Sequence, residues 1–187
     1  MRRPIVLLLA VVTLSGCGTA DQGPSVSQAA HPAPERTVSE RERDDALASA
    51  VTGRIRGLDG RAYRTVTATV LAGRVLLTGA VVKPEQRRNA EQAAAQVPGV
   101  VDVRDEIQLV EERFFDRYLP DPGSETALSA RLAADPAIAA SDYEIRVVDG
   151  VVYLLGSAGS PAAVEHVKEV LAAEPSVKWV VVAVTRP

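Results

Sequence analysis

Behind Asp44 and Asp45, apolar residues recur at three- and four-residue spacing through Ala46, Leu47, Ala50, Val51 and Ile55, a pattern that predicts an amphipathic helix with acid at its N-terminus. The period then changes from helical to alternating. Thr65–Val70 alternates β-branched polar and apolar residues, Ala72-Gly73 supplies a tight turn, and Arg74–Thr78 returns toward Gly79, so the pair predicts a hairpin. Pro84 opens a second helical stretch, with Ala90, Ala93, Ala94 and Val97 on one stripe and Arg87, Arg88, Glu91 and Gln92 on the other, and Pro98-Gly99 stops it. Val101, Val103, Ile107 and Leu109 then alternate with Asp102, Arg104, Glu106 and Gln108, which predicts a last strand with one wet face. The expected order is α-β-β-α-β.

That order occurs twice. Gly73-Arg-Val-Leu-Leu-Thr-Gly79 recurs as Gly150-Val-Val-Tyr-Leu-Leu-Gly156 at an offset of 77 residues (150 − 73), and the same shift pairs Pro84 with Pro161, Pro98 with Pro175 and Val100 with Val177. One repetition of a unit this long indicates a duplicated small domain and not a solenoid, whose units are shorter and more numerous. In the second copy, Leu128 and Leu132 mark the first helix. Tyr143–Val148 and Val151–Leu155 form the hairpin around Asp149-Gly150, Ser160-Pro161 caps the second helix, and Val177–Val184 is the last strand. The fold class is therefore α+β, with two tandem αββαβ domains over residues 44–112 and 123–187 joined by a linker over 113–122. Gly73, Gly79, Gly99, Gly150 and Gly156 mark turns and strand ends of the repeat.

The copies differ in one respect. The offset sets Asp102, Arg104 and Glu106 against Trp179, Val181 and Ala183, and Arg74, Leu76 and Thr78 against Val151, Tyr153 and Leu155. The sheet face opposite the helices is thus consistently apolar in the second copy, and a sheet with two apolar faces requires cover on both. The first domain, the interdomain segment, another chain and lipid all fit as the cover. The linker holds Phe114 and Phe115 beside Arg113, Arg117 and Tyr118. Two readings follow: these aromatics pack against Trp179 and Tyr153 and fix the domains together, or the aromatic and arginine surface engages anionic headgroups at a membrane interface. Arg113, Phe114, Phe115, Arg117, Tyr118, Arg131, Tyr153, Trp179 and Val181 are the candidate lipid or partner contacts.

At the N-terminus, Arg2 and Arg3 precede the apolar run Ile5–Val12, which stops at Leu14-Ser-Gly-Cys17. The run falls short of the roughly 20 apolar residues that span a bilayer and has the form of an export signal, residues 1–16. Leu-Ser-Gly-Cys resembles the lipobox of bacterial lipoproteins, which implies diacylglycerol on the thiol of Cys17, the chain's one cysteine. A lone cysteine leaves no internal disulfide. Acyl chains contribute about 0.8 kcal/mol per buried CH₂, so several on one residue hold a protein to a membrane. Gly18, where the sorting pattern of enteric bacteria has aspartate for inner-membrane retention, points to the periplasmic face of the outer membrane. From residue 17 to 43 the chain is rich in Ala, Pro, Ser, Gln and charge without apolar periodicity, as expected of a flexible tether.

Without residues 1–16 the chain keeps 19 basic residues (21 − 2) against 24 acidic ones, a net charge of −5 that disfavours electrostatic binding of nucleic acid. The residues form no catalytic constellation and no glycine-rich phosphate loop, and no cofactor is expected. His31 falls in the tether. His166 stands near Glu165 and Glu169, where one histidine among acids reads as a solvated helix face and not as a metal site.

Val-Val-Asp149-Gly-Val-Val-Tyr-Leu-Leu-Gly156, a Pro-opened helix and Pro175-Ser-Val177 before a last strand resemble the BON domain, and Ala72–Gly79 with Val97-Pro-Gly-Val100 resembles a first copy. Ser176 stands where the family favours glycine, and the helix after Pro161 lacks the usual charged start. Two such domains behind a lipobox resemble the dual-BON lipoproteins of the Gram-negative envelope. The resemblance implies a non-enzymatic module that supports outer-membrane integrity through phospholipid contact. The alternative is an adaptor that binds another envelope protein through the apolar second sheet, and a third option is a self-associating structural protein.

Overall fold

The computed structural model describes residues 36–185. The export signal, the acyl site at Cys17 and most of the expected tether lie outside them.

Helix α1, Val38–Arg56, begins six positions ahead of Asp44, which corrects the expected end of the tether at residue 43. The reason is a capping box. Thr37 Oγ1 accepts from the Glu40 N–H at 3.3 Å, and the Glu40 carboxylate accepts from the Thr37 N–H at 2.7 Å, so two of the helix's otherwise unpaired donors are satisfied together. The hydrogen bond from the Thr37 N–H also holds the Glu40 carboxyl below its usual range. Asp44 is consequently not the acidic N-terminus of the helix but a buried residue within it.

Strands β1 (Thr67–Leu71) and β2 (Arg74–Thr78) pair antiparallel across Ala72-Gly73, whose φ values of 51° and 76° match the two-residue turn that suits the strand twist. After Gly79 the strand resumes as β3 (Ala80–Val81), and α2 (Pro84–Ala95) crosses over to β4 (Asp102–Asp105), parallel to β2. The expected last strand divides here. Asp105 Oδ1 accepts from the Ile107 N–H at 2.9 Å, and pairing resumes as β5 (Gln108–Leu109) beside β3. Ile107 is buried, but Val101 and Leu109 are exposed, so the alternation places them wrongly. Val51, Ile55, Val75, Leu77, Ala90 and Ala94 fill the core between the helices and the sheet.

Glu112–Tyr118, at the start of the expected linker, forms 3₁₀ turns. The second copy follows as α3 (Pro122–Ala133), β6 (Tyr143–Val148), β7 (Val151–Ser157), α4 (Pro161–Ala172) and β8 (Trp179–Thr185), with β6 antiparallel and β8 parallel to β7. Asp149 and Gly150 repeat the left-handed turn at φ 47° and 74°, and Ser160 caps α4 by accepting from the Ala163 N–H at 3.2 Å. Leu128, Leu132, Val152, Leu154, Val167 and Leu171 make its core.

A third apolar cluster joins the copies. Leu71 and Leu76 of the first sheet meet Val148, Tyr153, Leu155 and Ala183 of the second, with Tyr118 and Val181 packed beside them. The first domain thus covers the apolar face that the sequence leaves bare, except at Trp179. Sheet lies on sheet, β1 against β6 and β7, with helices outside. Among the described residues no helix is long and apolar enough to cross a membrane.

Candidate functional site

The sequence-derived candidates fall into three places. Phe115 is 1% exposed and lies on the side of the first copy, where the 3₁₀ segment packs against β3 and the Arg64 guanidinium stacks on its ring at 4.1 Å. It therefore sits against the first domain, outside the cluster that holds Tyr153. Tyr153, at 4% exposure, and Val181 belong to the interdomain seam, with Tyr118 at its margin. Burial pushes the Tyr153 phenol up from its ordinary range. The Glu106 carboxylate adds to this and a hydrogen bond with Gln108 opposes it, so the two domains share this group's environment.

Phe114 and Trp179 remain open to solvent, at 36% and 68% exposure. Phe114 carries two guanidinium groups, Arg113 at 4.6 Å and Arg117 at 5.3 Å from its ring centre. Arg113 also pairs with Glu111 at 3.0 Å. Exposed Leu109 and Leu119 extend the apolar surface to either side in the chain. Phe114, Arg117, Tyr118, Leu109 and the hairpin residue Asp149 line a groove of about 370 Å³. An adjoining groove of about 260 Å³ is lined by Tyr118, Asp149, Tyr153, Trp179 and Val181 together with Glu106 and Gln108. Tyr118 and Asp149 are common to both, so the 3₁₀ segment and the β6–β7 turn bring Phe114, Arg117, Tyr118 and Trp179 to one end of the seam. Lys178 beside Trp179 pairs with Asp149 at 3.0 Å.

Arg131 is elsewhere. It pairs with Glu174 at 3.0 Å and lines a groove between α3 and α4 with Asp135 and His166. His166 Nε2 lies 2.9 Å from Asp135 Oδ2, a partner that its sequence neighbours Glu165 and Glu169 do not indicate. The Asp135 carboxyl is held below its usual range chiefly by the Ala137 N–H, with His166 adding to this. Among the described residues no group of three or more His, Cys, Asp or Glu side chains is placed to hold a metal ion.

Sequence reading missed Arg36 and Asp44. Arg36, with its side chain 13% exposed, reaches Asp44 Oδ2 at 2.6 Å in the first copy and Glu144 Oε1 at 2.9 Å in the second. Asp44 in turn accepts from the Ala72 and Gly73 N–H groups at 2.9 and 3.3 Å, fixing the β1–β2 turn. The pattern around Arg36 does not signal a partner more than 100 residues away.

The BON domain profile matches residues 43–111 and 120–186. The chain is 27% identical over 158 residues to the outer membrane lipoprotein DolP of Haemophilus influenzae, covering 84% of this chain and 82% of that one. It is 29% identical over 108 residues to osmotically-inducible protein Y of Escherichia coli, over 57% and 54% of the two chains. An uncharacterized protein of Anaplasma centrale is 37% identical over 99 residues, 52% of this chain and 66% of that one. Among solved structures, the C-terminal domain of CdsD, a type III secretion protein of Chlamydia trachomatis, is 13% identical at a TM-score of 0.30, over 72% of this chain and 63% of that one.

Proposed function

Since this chain belongs to the BON domain family, with two copies of the domain, we propose that it is a lipid-anchored, non-enzymatic protein of the Gram-negative envelope that supports outer-membrane integrity by contacting anionic phospholipid. The observation that carries this reading is the exposed Phe114 ring between the Arg113 and Arg117 guanidinium groups. An aromatic body with cationic flanks suits the boundary between acyl chains and headgroups, where the ring leaves water while the guanidinium groups stay with phosphate. Exposed Trp179 at the same end of the seam adds a second amphipathic ring.

The similarity to a protein named as an outer membrane lipoprotein supports the envelope location, as does the lipobox-like Leu14–Cys17. Attachment through Cys17 would hold the protein at the periplasmic face of the outer membrane, and no cofactor is required. The adaptor reading through the apolar second sheet keeps a smaller surface, because Leu71 and Leu76 of the first copy occupy part of that face and Trp179 stays exposed.

The test is co-sedimentation of the protein from residue 18 onward with vesicles containing or lacking anionic phospholipid, at low and moderate salt. Binding confined to anionic vesicles and weakened by salt is expected. Absence of binding to either kind overturns the lipid reading.

A further inference from the structure

We propose that the open edge of β8 is the surface through which two copies of this chain associate, β8 pairing antiparallel with β8 of a second copy about a two-fold axis at Val182. Strand β8 is bonded to β7 along its whole length, and among the described residues no strand takes its other edge. Val148 and Val151 flank the two-residue turn and bond to each other, so the next residues, Val152 and Leu154, turn their backbone groups toward β8. These engage Trp179, Val181 and Ala183. The N–H and C=O groups of Val180, Val182 and Val184 then point away from the sheet, and an edge of this kind is a template for another strand.

The first copy guards the corresponding edge. Its equivalents of Trp179, Val181, Val182 and Ala183 are Asp102, Arg104, Asp105 and Glu106, and its strand breaks between Asp105 and Gln108. Charges and short strands of this kind keep an edge from pairing. Strand β8 has neither, since Trp179–Thr185 carries no charge and runs unbroken. Apart from Trp179, both faces of its sheet are covered, by α3 and α4 on one side and by the first copy on the other, which leaves the edge for growth.

A second copy fits this edge better than the first copy's edge on another molecule would. Pairing of β8 with β4 would be heterologous, would not close, and would set three charged residues against an uncharged strand. Pairing of β8 with β8 is self-complementary and closes as a dimer. With the axis at Val182, Val180 lies opposite Val184, every outward N–H and C=O finds a partner, and two three-stranded sheets become one of six. Lys178, just before the strand, is already held by Asp149.

Sedimentation equilibrium of the full chain in detergent, over a range of concentrations, tests the proposal. The expected result is a protein mass of two chains that falls to one on dilution, and a Val182→Pro variant that stays at one chain. That substitution removes an N–H that β7 does not use, so its unfolding temperature should remain near that of the parent. In a Cys17→Ser background, Val182→Cys should form an inter-chain disulfide on mild oxidation, whereas Asp105→Cys, the equivalent position of the first copy, should not. A one-chain mass at all concentrations overturns the proposal, as does a folded Val182→Pro protein that remains two-chain. If Val182→Pro fails to fold, the cysteine pair decides, and equal cross-linking at the two positions overturns the proposal.

Discussion

Arg146 Nε donates to Thr69 Oγ1 at 3.3 Å, and these two residues are equivalent positions of the repeat, 77 apart (146 − 69). Contact between equivalent residues means that matching surfaces of the two copies face each other. Leu71 and Val148 are likewise equivalent, as are Leu76 and Tyr153, and all four lie in the seam cluster. The duplicated domain therefore packs against its own copy through equivalent positions, within one chain. The asymmetry lies in the side chains: Arg146 also binds both oxygens of Glu125 at 2.9 and 3.1 Å, which a threonine cannot do.

Replacing Arg146 by Ala should cost about 2 kcal/mol, because Glu125 is left half-enclosed without its cation. Thr69→Val should cost less than about 1 kcal/mol, since Arg146 keeps Glu125. Denaturant unfolding of the two variants measures both, and equal losses would contradict the ranking.

The adjacent phenylalanines should separate cleanly. Phe115→Ala empties a fully buried site and should cost about 3–5 kcal/mol. Phe114→Ala should change stability by under about 1 kcal/mol while weakening attachment to anionic vesicles. Thermal unfolding and vesicle co-sedimentation on the same two proteins check this.

Arg36 spans carboxylates in both copies, so Arg36→Ala should cost about 1–2 kcal/mol and speed amide exchange at Ala72 and Gly73, whose N–H groups depend on Asp44. Arg36→Lys should restore little, because one ammonium cannot reproduce the fork that serves two acids. Hydrogen exchange read by mass spectrometry distinguishes the variants.

At alkaline pH the seam should weaken. The Tyr153 phenol is raised by burial and by Glu106, so the folded protein holds this proton more tightly than the unfolded chain does. Between the unfolded pKa of about 10 and the higher folded value, the unfolded state has released the proton and the folded state has not. Stability is therefore complete below pH 10 and falls as pH rises through that window. Tyr153→Phe should flatten this part of the pH profile of unfolding.

Gly79 has φ +113°, and a Cβ there would collide with the Thr65 carbonyl, so Gly79→Ala should cost more than about 2 kcal/mol. Gly53, inside α1 with nothing within 4 Å of an added Cβ, should give the opposite sign, Gly53→Ala stabilising by about 1 kcal/mol. Paired melting curves test the contrast.

The order of elements, both hairpin turns and the duplication were legible in the sequence because they rest on local physics. Ala72-Gly73 and Asp149-Gly150 tolerate positive φ, Pro84 and Pro161 open helices, and apolar spacing reports which side of an element meets a core. Even the need for a cover over the second sheet followed from the uncharged run at Trp179–Thr185. The exposed positions of Val101 and Leu109 did not follow, because alternation does not register where a strand breaks.

What only the tertiary structure decided is which surfaces meet. It buried Phe115 under Arg64 while leaving its neighbour Phe114 open, laid the first sheet over the second, and brought Arg36 to Asp44 and Glu144. Local pattern fixes the face a side chain takes on its own helix or strand. The partner of that face depends on how separate elements dock, and equivalent positions of a repeat carry no mark of meeting until the chain closes on itself.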